Sequence, residues 1–345
     1  MMSKWRFSVV LALSLLLVGQ AADAGVRKSG LTGAAFLKIG VGARPVALGS
    51  SYTTVTGDVN QLFYNPAGIS LSSGESQVTL FHNQWIADLS HSALGYTRDM
   101  GDLGTVGIGL VTLGLSDIAA DRDAVPQFVL DAGTFAPNDT KTSGAYDYRD
   151  LALSVSWSRS VSDRLDLGVT GKMISQSIDG ESATAWAADF GAIYRIDYNN
   201  TRIGARINNL GSDLTFYDIA SPLPLIFSVG ASMDVFEIEG TKVTVLADAT
   251  KPQDAEQLVF SGVEVSLFDM LKLRTGYKIN YQGVENEKVD EITRTTFDVP
   301  TTEEGLSFGV GADVPMPGFG ATVDYAYTDF GILDSVHRIS VSLQF

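Results

Sequence analysis

From about residue 75 to its last residue, the chain alternates apolar and polar residues with a period of two. The final stretch, VHRISVSLQF, shows the pattern: Ile339, Val341, Leu343 and Phe345 fall on one side of an extended strand, and polar residues fall on the other. We count about fourteen such segments, most of them near the roughly 9–11 residues that a membrane-spanning strand needs. Their approximate bounds are 75–83, 90–98, 103–115, 149–159, 164–178, 183–195, 201–209, 223–233, 241–250, 257–267, 270–280, 304–314, 318–328 and 336–345.

The lengths of the connections between these segments test independently whether the strands form a membrane barrel. If the first strand runs outward, the even-numbered connections face the periplasm, and all of them are short: RDMGD, RSVSD, IDYNN, DVFEIEG, LFD and VPMPG. The two longest connections, 116–148 and 281–303, are both odd-numbered and would lie outside. A soluble β-sandwich or propeller would show similar alternation, but short periplasmic turns and long outer loops are typical of outer-membrane barrels. We therefore predict an all-β fold, a transmembrane antiparallel β-barrel of about 14 strands over residues 75–345.

The N-terminus has the features of a secretory signal peptide. Lys4 and Arg6 supply a basic start, an apolar run follows over 8–18, and Ala22-Asp23-Ala24 forms a small-x-small cleavage site. The alternative is a membrane-anchoring helix, but the run is shorter than the roughly 20 residues that such a helix needs. We predict a signal peptide over 1–24, cleaved after Ala24, and a mature protein in the outer membrane of a Gram-negative-type bacterium.

Composition excludes several classes of function. The chain has no cysteine, so disulfides have no part in it, and its net charge of −16 argues against nucleic acid as a partner. Of the three histidines, His82 and His91 flank the first outer loop, but a zinc site needs three or four ligands. No G-x-S-x-G nucleophile motif occurs. We predict a protein that is not an enzyme and has no metal or cofactor.

Residues 25–74 break the period of two and are rich in glycine and alanine. A barrel of about fourteen strands encloses a lumen too wide for its own side chains to fill, so this segment is predicted to be a plug, or hatch. Within DVNQLFYNPAG, Asp58 can cap one short helical turn, and Asn65 can cap the next with Pro66 at its first position. An ordinary turn is the alternative interpretation.

The last strand must pair with the first, because an open sheet edge in lipid leaves backbone groups without partners. Its alternate residues are expected to face outer-membrane lipid. The terminal Phe345, with Leu343 and Val341 before it, resembles the signal that outer-membrane barrels present to the barrel assembly machinery.

The segment GIGLVTLG, residues 107–114, has an apolar second face, which Val111 and Leu113 supply and Leu115 continues. One hypothesis is an apolar patch inside the barrel, bounded by this strand and the plug. The alternative is that the strand packs on the plug. The predicted lumen-facing charges are mixed in sign and can pair, which disfavours an open ion-conducting pore.

The stretch AAFLKIGVGARPVALGSSYTTVTGDVNQLFYNPAGIS, followed by FHNQWIADLSHSALGYT, resembles the PorV/PorQ family of outer-membrane proteins. That family is related to the long-chain fatty acid transporter (FadL) family. The resemblance is dense over about residues 33–98 and implies a fourteen-stranded barrel with a hatch. It implies that Asn65, Pro66 and Ala67 form the hatch motif.

Two functions follow from the resemblance. The first is a non-enzymatic binding and shuttle component of type IX secretion, whose partners would be secretion cargo or components and whose working parts would be the long outer loops. The second is a FadL-like transporter of hydrophobic small molecules, with the hatch as its gate.

Overall fold

The computed structural model describes residues 31–70, 75–121, 143–255, 257–268, 270–279, 287–289, 296–298, 304–316 and 318–345. The predicted signal peptide and cleavage site, together with the first residues of the predicted plug, lie outside the described residues.

Fourteen antiparallel strands close into a barrel, as the alternation of residues predicts. The barrel strands are β1 Ser76–Gln84, β2 Ser90–Asp99, β3 Thr105–Asp121, β4 Ser143–Ser162, β5 Leu165–Ile178, β6 Glu181–Ile196, β7 Thr201–Gly211, β10 Ile226–Ile238, β11 Thr241–Pro252, β12 Leu258–Leu267, β13 Leu271–Ile279, β16 Leu306–Met316, β17 Phe319–Asp329 and β18 Ser335–Gln344. Two small hairpins lie in the connections: β8 Leu214–Phe216 with β9 Ile219–Ser221, and β14 Glu287–Val289 with β15 Thr296–Asp298. The predicted fold class is confirmed.

The last strand closes the barrel on the first. β18 pairs antiparallel with β1, from Gln77 opposite Gln344 to Asn83 opposite Arg338. One further backbone pair extends this ladder: the Ser76 N–H donates to the Phe345 carbonyl at 2.8 Å, and the Phe345 N–H donates to the Ser76 carbonyl at 3.0 Å. The sheet therefore has no open edge at the closing pair, as lipid surroundings require.

Most of the large apolar side chains of the strands point outward, and most of the polar side chains point inward. On β4, Leu153, Val155 and Trp157 are exposed on the outer face, whereas the alternating serines Ser154 and Ser156 are buried in the lumen. A soluble sheet would have the opposite distribution, because water would meet its polar face. Acyl chains are the surroundings that fit the outer face of this barrel.

The hairpin of β3 and β4 extends further than its alternation predicts. We expected an outer loop over 116–148, but β3 continues to Asp121 and β4 begins at Ser143. A bulge between Leu115 and Ile118 interrupts the ladder, and Asp117 has a φ of 58° there. The bulge shifts the register by one residue, so the sequence beyond it no longer matches a single period of two.

Residues 31–70 lie inside the barrel as short helical turns joined by irregular chain. These are an α-helix, α1 Ala43–Ala47, and 3₁₀ turns at Ala35–Lys38, Val59–Phe63 and Pro66–Ile69. Further 3₁₀ turns lie in the connections at Ile86–Asp88, Gly101–Leu103 and Gly331–Leu333. Within the described ranges, no helix is both long enough and apolar enough to cross a membrane.

The plug runs through the barrel from one end to the other. The Thr32 hydroxyl donates to Asp254, in the connection between β11 and β12, at 2.6 Å. At the other end, the Ser70 hydroxyl lies 2.8 Å from that of Ser158, near the turn from β4 to β5. That second end carries the short connections and the start of β1, so it is the periplasmic end. The chain therefore passes from the outer mouth down to the periplasmic end before it enters β1.

Candidate functional site in the barrel lumen

The lower part of the plug, residues 43–70, packs directly on glycines of the barrel wall. These glycines lie opposite each other on neighbouring strands, in the pairs Gly95–Gly109, Gly168–Gly191, Gly204–Gly230 and Gly262–Gly276. A Cβ atom at Gly168 would lie 2.3 Å from the carbonyl carbon of Pro66, and one at Gly276 would lie 1.9 Å from the Gly49 nitrogen. Side chains at these positions would prevent the contact, so the wall is shaped to hold this part of the plug.

The predicted hatch motif lies in the middle of this contact region. The Asn65 side chain accepts a hydrogen bond from the Ala67 N–H at 3.1 Å, which caps the turn that Pro66 begins. Its amide nitrogen donates to the Thr53 carbonyl at 2.6 Å, and Gln61 accepts from the Asn65 N–H at 3.1 Å. The motif thus joins two turns of the plug. Its role as a gate stays a prediction.

Buried ion pairs join the plug to one side of the wall. Arg44 donates to both carboxylate oxygens of Glu264 on β12, each at 3.0 Å, and to Asp58 in the plug at 2.7 Å. Arg274 on β13 donates to the same Glu264 at 2.6 Å and to Asp324 on β17 at 2.6 Å. Each buried charge in this network has an opposite partner, which is the condition under which buried charges are tolerated.

Two carboxylates hold the middle of the plug. Asp248 on β11 accepts from the N–H groups of Tyr52 and Thr53, both at 2.9 Å, and from the Thr53 hydroxyl at 2.7 Å. The Tyr52 hydroxyl donates to Asp58 at 2.6 Å. Burial alone would raise the pKa of Asp58, but Arg44 and the hydrogen bonds from Tyr52 and Asn60 outweigh burial and hold that pKa below its usual range.

An apolar patch covers the lumen face of the strands from β1 to β6, above the lower plug. We call it the inner apolar patch, and its wall members are Phe81, Ala93, Val111, Leu113, Ala152, Ile174, Ala183, Ala185 and Ala187. The outer part of the plug covers it with Ala34, Phe36 and Val41. The prediction for Val111 and Leu113 agrees with this position, since both are buried in the patch.

The segment 107–114 packs on the plug at its periplasmic end and lines the inner apolar patch closer to the outer mouth, so both interpretations apply. Gly107 and Gly109 face Leu62 and Phe63 of the plug, and the residues above them line the patch. β3 pairs without interruption with β2 up to Gly114 and with β4 up to Leu115, so the wall is closed along this part of the strand.

Sequence reasoning missed the contribution of β6 to the patch. Ala183, Ala185 and Ala187 are buried in the lumen, and alternate with Thr184 and the outward-facing Trp186. Alanine is weakly apolar, so its alternation does not stand out in a pattern of large and polar residues. The signal that could have found it is that both faces of SATAWAA lack charge.

A cavity of about 170 Å³ lies between the outer part of the plug and the wall. Its apolar side includes Phe36 and Phe63 of the plug together with Val111 and Ala152 of the patch. Its polar side includes the wall residues Lys172, Arg206, Asn208, Asn209 and Lys278, the last paired with the lining carboxylate Glu304 at 2.5 Å. We call it the outer cavity. It offers both an apolar surface and hydrogen-bonding groups to a small molecule.

Arg206 is the unusual member of this lining. It is 8% exposed, and its guanidinium carbon lies 5.4 Å from the centre of the Tyr64 ring. Its Nε has no hydrogen-bond partner among the described residues. Lys172, by contrast, pairs with Asp189 at 2.6 Å and donates to Asn209 at 2.9 Å. Arg206 is therefore a buried cation at the cavity without a bonded counter-ion within the part of the chain that the structure describes.

The outer part of the plug, residues 31–41, is tied to outer connections and strand ends. Lys38 pairs with Asp254 at 2.5 Å, the Gly33 N–H donates to the Pro222 carbonyl at 2.9 Å, and the Ala34 N–H donates to Gln176 at 3.0 Å. Burial would raise the pKa of Asp254, but hydrogen bonds from Lys38 and Thr32 and the charge of Lys38 hold it below its usual range.

The two histidines of the first hairpin do not converge. His82 is exposed on the outer face, where its Nδ1 lies 2.9 Å from the Ser92 hydroxyl, and His91 is fully buried in the lumen. Among the residues with described positions, no three side chains of the metal-ligating types are grouped.

Comparison with known proteins shows similarity in fold. No protein-family model matches the chain, and no curated protein matches it in sequence. The structure is similar to the CymD monoaromatic hydrocarbon channel, with a TM-score of 0.55, 11% identity, and coverage of 88% of this chain and 96% of that one. The Pseudomonas putida toluene transporter TodX gives 0.52 at 12% identity, covering 88% and 97%. A FadL homologue of Pseudomonas aeruginosa gives 0.51 at 11% identity, covering 89% and 98%.

These similarities concern architecture. The predicted relation to FadL-like barrels is confirmed for the fold. A closed antiparallel barrel with an apolar outer face is the form of an outer-membrane protein, as predicted. The resemblance to the PorV/PorQ family stays a prediction.

Proposed function

We propose that this protein transports hydrophobic small molecules across the outer membrane. The inner apolar patch is the observation that carries the proposal, because it gives the lumen side of six neighbouring strands an apolar surface of the kind that a hydrophobic molecule binds. The fold is shared with proteins described as a monoaromatic hydrocarbon channel and a toluene transporter, which supports the same function here. Of the two functions that the sequence suggests, this one has the stronger support.

The energetics of the patch favour a replaceable cover. Phe36 is buried against the patch and also lines the outer cavity. Burial of apolar surface contributes about 25 cal/mol per Å², whatever molecule supplies the surface. A hydrophobic ligand that displaced Phe36 would bury a comparable area, so exchange between plug and ligand is close to neutral in free energy. Few hydrogen bonds and ion pairs hold residues 31–41 to the outer connections and strand ends, so such an exchange would break few polar contacts.

The polar side of the cavity selects among hydrophobic molecules. Arg206 supplies hydrogen-bond donors opposite the apolar side, and Asn208, whose amide nitrogen donates to the Tyr64 carbonyl at 2.8 Å, supplies an acceptor oxygen. A molecule with a hydrocarbon body and one polar or anionic group at its end would satisfy both sides, whereas a pure hydrocarbon would leave the donors unused. We expect the first kind to bind more tightly.

Passage requires a rearrangement of the plug or the wall. The lower plug lies against the wall glycines, and the ladder along β3 is closed. The outer cavity is therefore the first binding site on the route. A later step must move part of the plug or part of the wall.

Binding of N-phenyl-1-naphthylamine, a dye that fluoresces in apolar surroundings, tests the proposal on the purified protein in detergent or nanodiscs. The variant Ala152→Trp would fill the cavity from the wall and should lower saturable dye binding at least tenfold. The control Ala192→Trp adds the same side chain to β6 outside the patch and should bind like the unmodified protein. Absence of saturable dye binding by the unmodified protein, in detergent and in nanodiscs, would refute the proposal.

The resemblance of residues 33–98 to the PorV/PorQ family supports a second candidate, the shuttle component of type IX secretion. Deletion of the gene in its host, followed by measurement of surface attachment of proteins with the C-terminal sorting domain, tests it. Unchanged attachment would leave transport as the function.

A further inference from the structure

Three polar side chains form one row across the lumen face of β2, β1 and β18. Asn83 on β1 lies directly opposite His91 on β2 and, on its other side, directly opposite Arg338 on β18. Their exposed fractions are 2%, 0% and 1%. Side chains directly opposite on neighbouring antiparallel strands have Cβ atoms about 4.5–5.5 Å apart, so the three polar groups share one small region.

The polar atoms of this row are not satisfied by the protein. Both ring nitrogens of His91, both amide atoms of Asn83 and the Nε of Arg338 have no hydrogen-bond partner among the described residues. The bond found for Arg338 runs from its Nη1 to the Thr328 hydroxyl, at 2.9 Å. Buried polar atoms in native proteins nearly always have a partner, so five such atoms in one row indicate a bound species.

The charge of the row identifies that species. Arg274, elsewhere in the lumen, is bonded to two carboxylates. Arg338 is as deeply buried, but the carboxylate whose charge acts on it, Glu304, already pairs with Lys278 at 2.5 Å, and no ion pair to Arg338 itself is found in the part of the chain that the structure describes. Its guanidinium lies 5.0 Å from the Trp85 ring centre and 5.9 Å from that of Phe330. Aromatic rings stabilise a cation but do not neutralise it.

We propose that His91, Asn83 and Arg338 bind a small anion, either a halide ion or a carboxylate group. The Arg338 Nε–H, the Asn83 amide N–H groups and one His91 ring N–H can all donate to it. Water would satisfy hydrogen bonds but would leave Arg338 with no opposite charge other than that of Glu304, which it shares with Lys278.

The site lies at the edge of the inner apolar patch. The His91 ring lies 5.3 Å from that of Phe81 and 6.5 Å from that of Trp85, and both aromatic residues pack in or against the patch. The anion could therefore be a free ion or the carboxylate of a molecule whose apolar part lies on the patch. The proposal of an anion site does not depend on the proposed transport function.

Trp85 provides a reporter within the site. Four tryptophans occur in the sequence, and Trp5 belongs to the predicted signal peptide. In the double variant Trp157→Phe/Trp186→Phe, Trp85 is then the remaining tryptophan of the mature chain. We would titrate this protein with bromide, a quencher of indole fluorescence, in a halide-free isethionate buffer. Saturable quenching is expected, because a bound ion lies beside the ring, whereas collisional quenching rises linearly.

Variants of the three residues of the row distinguish quenching by a bound ion from collisional quenching. Each variant is made in the double variant Trp157→Phe/Trp186→Phe. Arg338→Gln should weaken the apparent affinity for bromide at least tenfold, and Asn83→Ala, which keeps the cation, should weaken it several-fold. Arg202→Gln, a change of another lumen-facing arginine, on β7, should leave it unaltered. Heat-dependent migration on gels reports whether each variant has folded, and if Arg338→Gln does not fold, Asn83→Ala alone decides.

Competition identifies the source of the anion. Protection of Trp85 by chloride, but not by acetate or octanoate, would show a free halide site. Stronger protection by octanoate than by acetate would show a carboxylate on an apolar molecule. The proposal would be overturned if quenching by bromide were linear, with the same slope, in the protein with all three row residues intact and in the Asn83→Ala variant.

Discussion

Gly191 on β6 lies so close to Asn65 of the plug that a Cβ atom added to the glycine would come within 1.9 Å of the Asn65 Oδ1 atom. The wall and the plug therefore fit each other at the predicted hatch motif. Gly168, directly opposite Gly191 on β5, makes the corresponding contact with Pro66.

Substitution of this contact should loosen the plug. We expect Gly191→Ala to destabilise the folded barrel by about 1–3 kcal/mol, the usual cost of overpacking a tight site. Guanidinium unfolding in lipid vesicles, followed by tryptophan fluorescence, measures the change. Gly171→Ala on β5 is the matched control, since a Cβ atom there would meet nothing within 4 Å, and equal effects of the two variants would contradict the fit described above.

Removal of one member of the buried ion network should lower the free energy of unfolding. Arg274→Ala leaves Glu264 without one of its two arginines and Asp324 without the arginine to which it is bonded, and both carboxylates are buried. Loss of one partner of a buried ion pair costs about 3–5 kcal/mol. The same unfolding assay should show a lower midpoint with an unchanged slope.

An exposed pair provides the control for that change. Arg164 and Asp197 pair in the solvent-exposed turns at the periplasmic end. Because water screens such pairs, Arg164→Ala should leave the unfolding midpoint unaltered. A midpoint for Arg274→Ala as high as that for Arg164→Ala would show that the network does not stabilise the fold.

Acid should release the outer part of the plug. The pKa of Asp254 is lower in the folded protein than in the unfolded chain, so its contribution to stability is present above the unfolded pKa of about 3.9 and is lost as the pH falls through the lower folded pKa. A spin label on Ala35→Cys, in a chain that has no native cysteine, should gain mobility over that range.

The variant Asp254→Asn removes the charge at every pH. It should give the mobile spectrum already at neutral pH and show no further change on acidification. A spectrum that still sharpens in acid in this variant would assign the effect to another group.

The terminal residue should matter more for assembly than for stability. The Phe345 side chain is 56% exposed on the outer face, and the closing hydrogen bonds use only its backbone. We expect Phe345→Ala to lower the amount of assembled barrel in cells several-fold and to leave the unfolding midpoint of refolded protein nearly unchanged. Equal losses in both measurements would indicate a packing role and not an assembly signal.

Much of the fold follows from local pattern. The period of two over segments such as 201–209 and 257–267 places β7 and β12 within two residues of their observed bounds at each end. The bulge at Asp117 shows where this reasoning ends, because the extra residue changes the face of every residue beyond it. The ladder of β3 and β4 continues past that point, although the alternation is lost.

The candidate site was less accessible to sequence reasoning. Val111 and Leu113 indicated an apolar lumen face, but the alanines of β6 joined the patch only when the barrel brought β1 to β6 side by side. Likewise, a mixed set of lumen-facing charges predicts pairing in general. It does not say that Arg274 would have two carboxylates to itself, while Arg338 would share the charge of Glu304 with Lys278.

The sequence by itself determined the number of strands, the division of each strand into a lipid face and a lumen face, and the closure of the last strand on the first. These properties follow from the two-residue repeat of an extended chain and from the cost of unpaired backbone in lipid, which act along each strand. Only the tertiary structure decided where the plug touches the wall, which apolar residues form one surface and which buried charges stand opposite each other. Those contacts depend on the register between strands that are distant in sequence, and register sets which side chains meet.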